Sequence, residues 1–166
     1  MNEVDTIIGK HAAIAVLQNP KREILSLKCT KDFYEKNKEL IKNKKIQNFN
    51  IVKRKLIESE TGNDFHQGII IKTRSLRPND LNSIKNSEEI IVILDSLNDS
   101  QNVGSILRTV YLFGVKTVIY NKDNSFQQNY LLFKSACGAF EKIKCIQVIN
   151  LSRAIEILKK KGFWIL

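Results

Sequence analysis

The run ILDSLNDSQNVGSILRTV, residues 93–110, decides the fold. An apolar segment ends on Asp95, a polar loop delivers Asn102 and Gly104, and a helical pattern then carries Arg108. Val103, Ile106, Leu107 and Val110 recur at about 100° per residue and form one apolar stripe. Arg108 lies off that stripe, on the side shared with Ser105 and Thr109. Polar groups placed where a strand hands over to a helix lie at the carboxyl edge of a parallel sheet, where open α/β folds build their sites.

Downstream the alternation continues. Residues 90–94 read as a continuous apolar strand, buried on both faces. Gly114 closes the helix that follows. Residues 116–120 form the next strand, 127–140 contain a helix, 144–148 a third strand and 151–161 a third helix. The last of these ends in lysines, where the helix dipole favours them, and Gly162 terminates it. Phe163-Trp164-Ile165-Leu166 reads as a fourth strand, and so apolar a terminus asks for a continuation. Strand and helix in alternation predict a mostly parallel sheet with right-handed crossovers.

Upstream, residues 75–88 hold Pro78, Asn79, Asp80, Asn82, Ser83, Asn86 and Ser87. That density of turn formers predicts a linker between two units, 1–74 and 89–166. The first unit reads as a small α/β fold. It has a helix over 9–17 ended by Pro20, a strand over 23–29 and a lysine-rich helix over 31–43. A strand over 46–52, a helix over 53–60 and a β-branched strand opening at His66-Gln67-Gly68 complete it.

Composition narrows the function classes. The chain has 166 residues, a formal charge of +10 and 43% hydrophobic residues, enough to bury a core. The charge is spread, with 15 Lys/Arg against 9 Asp/Glu in residues 1–75 and 12 against 8 in 76–166. Such a surplus suits a polyanion, with nucleic acid the leading candidate, although a lysine-rich composition also serves solubility. The cluster Lys42, Lys44, Lys45, Lys53, Arg54 and Lys55 is either an RNA surface or a solvated face. No run of about 18 apolar residues argues for a membrane span. The N-terminus lacks the basic start and apolar core of a secretory signal. Cys29, Cys137 and Cys145 have no metal-site spacing, and His11 and His66 stand far apart. Reduced thiols, no metal and a cytoplasmic location are therefore expected. No dinucleotide or P-loop signature occurs, which disfavours an unrelated nucleotide-binding fold.

From residue chemistry alone the 93–110 run admits two readings. One is a capped helix with a surface arginine, Asn102 serving as cap. The other is a site in which Arg108 offers its guanidinium fork to phosphate or ribose oxygens and Gly104 permits close approach of a backbone or ligand.

The arrangement resembles the first motif of the SpoU (TrmH-like) RNA 2′-O-ribose methyltransferases. The matching residues are Leu94-Asp95, then Asp99 through Asn102 and Gly104 to Arg108, then Phe113-Gly114-Val115, with Ser100 in place of the usual proline. Ile8-Gly9-Lys10-His11-Ala12 resembles the opening of members with an N-terminal substrate domain. His66-Gln67-Gly68 resembles the segment before their linker, and Ser135-Ala136-Cys137-Gly138-Ala139-Phe140-Glu141 their Ser-x-Gly-Ala-x-Glu segment. Within the family the chain most resembles the branch that methylates guanosine ribose in large-subunit ribosomal RNA.

The resemblance implies an N-terminal α/β substrate-binding domain similar to ribosomal proteins. With it comes part of an α/β-knot (SPOUT) catalytic domain with a mostly parallel sheet. It implies S-adenosylmethionine as methyl donor, rRNA or tRNA as partner, no membrane, and a homodimer for full-length members. It assigns Arg108 to activation of the ribose hydroxyl and Asn102 to organising the site, with Gly104, Ser105, Lys10 and His11 on the substrate side. A guanidinium holds its proton to above about pH 12, so a second reading has Arg108 anchoring a phosphate while another group takes the proton. The family's Gly-x-Glu-x-x-Gly and Ser-Leu-Asn-x-Ser-x-Ala motifs, which supply most of the donor pocket and much of the dimer interface, do not occur. A C-terminally truncated chain, inactive alone, is the expectation, with a non-catalytic RNA-binding remnant as the alternative.

Overall fold

Runs of β-branched residues build two separate sheets. The computed structural model describes residues 4–62, 65–85, 89–123 and 125–166. The first sheet has the order β1-β4-β2-β3, with β1 Val4–Ile8, β2 Ile24–Cys29, β3 Ile46–Ile51 and β4 Ile69–Arg74. β4 is central because Ile69, Ile70 and Ile71 are all buried. It pairs antiparallel with β1 and β2, setting Ile71 against both Ile7 and Leu27, whereas β2 and β3 run parallel. The second sheet is wholly parallel, in the order β5-β6-β7, with β5 Ile91–Leu94, β6 Thr117–Asn121 and β7 Lys144–Val148. Helices connect them: α1 Lys10–Gln18, α2 Lys31–Lys36, α3 Lys38–Lys42, α4 Arg54–Thr61, α5 Ser100–Leu112, α6 Tyr130–Ala136 and α7 Leu151–Lys160.

Five expectations change. β1 was not expected: its Asp5 is polar yet buried, because Arg22 neutralises it from another element. The lysine-rich helix breaks in two at Asn37, whose backbone leaves the helical region (φ −129°, ψ 22°) while its side-chain amide donates to the Phe33 carbonyl. β5 is an edge strand, so Ile91, Val92 and Ile93 are only half-buried and Leu94 alone is fully enclosed. Residues 163–166 form no strand. The Phe163 N–H turns back to the Leu158 carbonyl, Phe163 packs beneath α7, and Trp164 stands 93% exposed. Within the turn-rich segment, Asn79 bridges to Ile146 of β7 and donates backbone and side-chain N–H groups to the Cys145 carbonyl. Asn86 and Ser87 of that segment lie outside the described residues.

One apolar cluster runs through both halves. Val16 of α1, Leu27 and Ile71 of the first sheet, Val103 and Leu107 of α5, Val118 of β6 and Leu132 and Phe133 of α6 belong to it. Helix α6 is the joint, packing on α5 on one side and β1 on the other. A second cluster, Ile84, Ile119, Ile146, Leu151 and Leu158, lies under α7.

A buried ionic cluster ties the halves together. The Arg22 guanidinium donates to Asp5 (2.5 Å), the Arg74 carbonyl (2.9 Å) and both oxygens of Glu141 (2.7 to 3.1 Å). Asn19 donates a further 2.6 Å bond to Glu141, and Ser75 a 2.7 Å bond to Asp5. Burial alone pulls the Arg22 pKa down; the contacts with Glu141 and Asp5 outweigh it and leave the guanidinium above its ordinary value. Asp5 and Arg22 belong to the first sheet and its α1–β2 turn, Glu141 to the segment before β7, so this contact spans the seam.

Candidate nucleic-acid interface at the Arg108 helix

Helix α5 starts at the carboxyl end of β5, as the strand-to-helix pattern requires. Its cap is Asp99, whose carboxylate accepts the Asn102 N–H at 2.6 Å, so the capping role offered to Asn102 belongs to Asp99. The Asn102 side chain stays exposed in the first turn. Ser105 is exposed too, but its hydroxyl donates back to the Gln101 carbonyl and its own carbonyl accepts from Thr109.

Gly104 does not open a ligand path. It is buried against α6, where a Cβ would lie 2.6 Å from the Leu132 carbonyl oxygen, 2.7 Å from Ser135 Cβ and 3.0 Å from the Ala136 nitrogen. The glycine lets two helix backbones approach, which accounts for it without a substrate. Gly138 has the same use on the other side of α6. With φ of 90° it sits in the left-handed region, and its Cβ position is 2.7 Å from Ala15 of α1. The turn Cys137-Gly138 therefore seats α1 against the second half.

That seating forms a groove of about 290 Å³ between α1 and α5. Arg108 and His11, 97 positions apart in the chain, line it together. Tyr111, Gln18, Cys137 and Lys142 complete the polar lining. Arg108 is exposed and, among the described residues, makes no hydrogen bond or ion pair. The Lys142 ammonium lies 5.4 Å from the Tyr111 ring centroid, which holds a cation at the groove's edge. Lys10 is displaced from this lining: it starts α1, its N–H bonded to the Gln67 side chain at 2.8 Å. Of the six residues expected at a site, the fold thus brings Arg108 and His11 together. It leaves Asn102 and Ser105 on the exposed flank of α5, Lys10 at the start of α1, and Gly104 in a helix contact.

Tyr111 and Lys142 were missed from sequence. Tyr111 is three residues beyond Arg108 and so shares its helix flank, a readable signal. Lys142 follows the Glu141 motif, but only the seam contact turns it toward Arg108. The chemistry available is anion and base recognition: an unpaired guanidinium fork for phosphate or ribose oxygens, an imidazole that donates or accepts, and an aromatic face for a base. Among the described residues no helix is long and apolar enough to cross a membrane, and no group of three or more His, Cys, Asp or Glu could hold a metal.

The profile of the SpoU rRNA Methylase family matches residues 89–166. The 23S rRNA (guanosine-2′-O-)-methyltransferase RlmB of Shewanella oneidensis is 33% identical over 175 residues, spanning 99% of this chain and 70% of that protein. Its Escherichia coli counterpart is also 33% identical, over 97% of this chain and 70% of its own length. Among solved structures, an AdoMet-bound rRNA methyltransferase from Sinorhizobium meliloti superimposes with a TM-score of 0.74 at 19% identity, over 95% of this chain. The SpoU methyltransferase AviRb from Streptomyces viridochromogenes, in complex with AdoMet, gives 0.75 at 11% identity, also over 95%. These two likenesses concern the fold, and the chain spans only 58% and 60% of the two structures. By the identity and coverage of its curated relatives, the chain belongs to the SpoU rRNA methylase family.

Proposed function

We propose that these 166 residues form the acceptor side of an RNA 2′-O-ribose methyltransferase that acts on ribosomal RNA. In this reading residues 1–74 are the RNA-binding unit, 75–88 the connection and 89–166 the first half of the methylase unit. The observation that carries it is the pairing of the free Arg108 guanidinium with His11 across one groove, each from a segment resembling the family's own. Arg108 holds a phosphate or the ribose oxygen, His11 and Lys10 bind on the N-terminal side, and Asn102 and Ser105 flank the acceptor. Positioning supplies much of the acceleration in a methyl transfer to a fixed hydroxyl.

The methyl donor of the reading is S-adenosylmethionine, and these residues do not make its full pocket. The seven glycines stand at 9, 62, 68, 104, 114, 138 and 162. None falls at the carboxyl ends of β5, β6 or β7, where a large ligand needs the close backbone approach that glycine permits. Together with the absent Gly-x-Glu-x-x-Gly and Ser-Leu-Asn-x-Ser-x-Ala motifs, this supports the proposal that these residues alone bind RNA without turning it over. The homodimer expected of full-length members belongs to the same proposal, with much of its interface in those motifs.

Two titrations of the 166-residue chain test the reading. Single-stranded RNA is expected to bind at low salt and weaken as salt rises. S-adenosylmethionine is expected to show no saturable binding at micromolar concentration. RNA binding that is absent or indifferent to salt overturns the RNA reading. Saturable donor binding with methyl transfer to rRNA overturns the proposed inactivity.

A further inference from the structure

We infer that the seam between the two sheets is a track for single-stranded RNA, in which Lys21, Arg77 and Lys142 hold the phosphates flanking the nucleotide at Arg108. The inference rests on the RNA reading above and adds the path the strand takes.

The groove beside Arg108 does not end at Lys142. The same lysine lines a second groove of about 350 Å³, together with Lys21 and Arg77. Lys21 comes from the turn between α1 and β2, Arg77 from the segment after β4 and Lys142 from the turn before β7. Three separate elements thus deliver exposed cations to one cleft. Lys144 adds a fourth, its ammonium tethered to the Ser83 carbonyl at 3.2 Å.

Carboxylates do not offset this charge. The single acidic residue lining either groove is Glu141, and both of its oxygens are already taken by Arg22, one also by Asn19. A cleft lined by one sign of charge, with apolar walls such as Leu76, Phe140 and Ile143, focuses its field on an incoming polyanion. Two grooves that share Lys142 suit a flexible strand. A duplex presents its phosphates on a convex surface and would reach only the rim. Tyr111, at the junction with Lys142 over its ring, offers the stacking face that single-strand binding uses.

The test is fluorescence anisotropy with a short, labelled, mixed-sequence single-stranded RNA, titrated over a salt series. Three proteins are compared: wild type, the seam triple Lys21→Ala/Arg77→Ala/Lys142→Ala, and the control triple Arg153→Ala/Lys159→Ala/Lys160→Ala on α7, outside both grooves and the N-terminal unit. All six side chains are exposed, so folding is expected to survive, and both triples remove the same formal charge. A phosphate contact on a single strand contributes about 0.7 to the slope of log affinity against log salt. The seam triple is expected to lower that slope by about 2 and to weaken binding about tenfold or more at low salt. The control should stay close to wild type. An unchanged seam triple, an equal loss in the control, or equally tight binding of the same RNA as a duplex overturns the track while leaving the RNA reading intact. Failure of the wild type to bind RNA at all overturns that reading and the track with it.

Discussion

Arg22 is the side chain on which the seam depends, and removing it has a calculable cost. Its side chain is fully buried, and the carboxylates of Asp5 and Glu141 are 3% exposed. Arg22→Met keeps most of the volume but leaves two enclosed carboxylates without their cation. Removing one partner of a buried ion pair costs about 3–5 kcal/mol, against about 5–15 kcal/mol of total stability for an ordinary domain. Urea denaturation followed by circular dichroism is expected to show a loss of about 3–5 kcal/mol. Because the contact spans the seam, the transition is also expected to become less cooperative, with a reduced m-value. The triple replacement Arg22→Met/Asp5→Leu/Glu141→Met removes all three charges. It is expected to recover most of the loss, as apolar substitutes for buried ionic triads do. A loss below about 1 kcal/mol for Arg22→Met would mean that the cluster is solvated, the halves are not locked, and the groove joining His11 to Arg108 is not held by the fold.

Other outcomes follow from single contacts. Gly104→Ala gains about 0.5–1 kcal/mol of helix propensity but forces α5 from the Leu132 carbonyl, an overpacking cost of about 1–3 kcal/mol. A net loss of stability with unchanged RNA affinity is expected, and a drop in RNA affinity at full stability would return Gly104 to the substrate side. Asp99→Ala removes the α5 cap and is expected to cost about 0.5–2 kcal/mol in the same unfolding assay. Arg108→Ala should lower the RNA salt slope by about 0.7 while Arg108→Lys largely keeps it; a large loss in the lysine variant would point to the bidentate fork. Burial pushes the Cys29 thiol up to about 11 and the Cys145 thiol up to about 12, whereas Cys137 is exposed. At neutral pH a disulfide-exchange reagent is therefore expected to label Cys137 alone in the folded protein; rapid reaction of a second thiol would contradict the packing of β2 or β7.

The parallel sheet was legible because its signals are local. Residues 116–120 and 144–148 read as strands, and the Val103–Val110 stripe fixed which side of α5 faces the core. The elements that escaped depend on distant partners. Val4–Ile8 begins in a polar stretch, and only Arg22 makes Asp5 acceptable inside. The break at Asn37 turns on one amide bonded to Phe33, which lysine-rich periodicity hides. Phe163–Leu166 has strand composition but no ladder in which to use it. The site divides the same way. Arg108 stood out through its place off the apolar stripe, and His11 through its motif. Their meeting depends on Gly138 against Ala15 and on Glu141 reaching Arg22, contacts that join residues over a hundred positions apart. Gly104 shows the converse, since a glycine inside a ligand-like motif was filling a helix–helix contact.

The central claim is that RNA meets this protein where α1 faces Arg108. Photo-crosslinking with single-stranded RNA carrying 4-thiouridine, followed by trypsin digestion and mass spectrometry, tests it most directly. The account predicts nucleotide adducts on the peptides His11–Lys21 and Thr109–Lys116, which hold His11, Gln18 and Tyr111. Adducts confined to peptides from the lysine-rich helices α2 to α4, with those two unmodified, would contradict it.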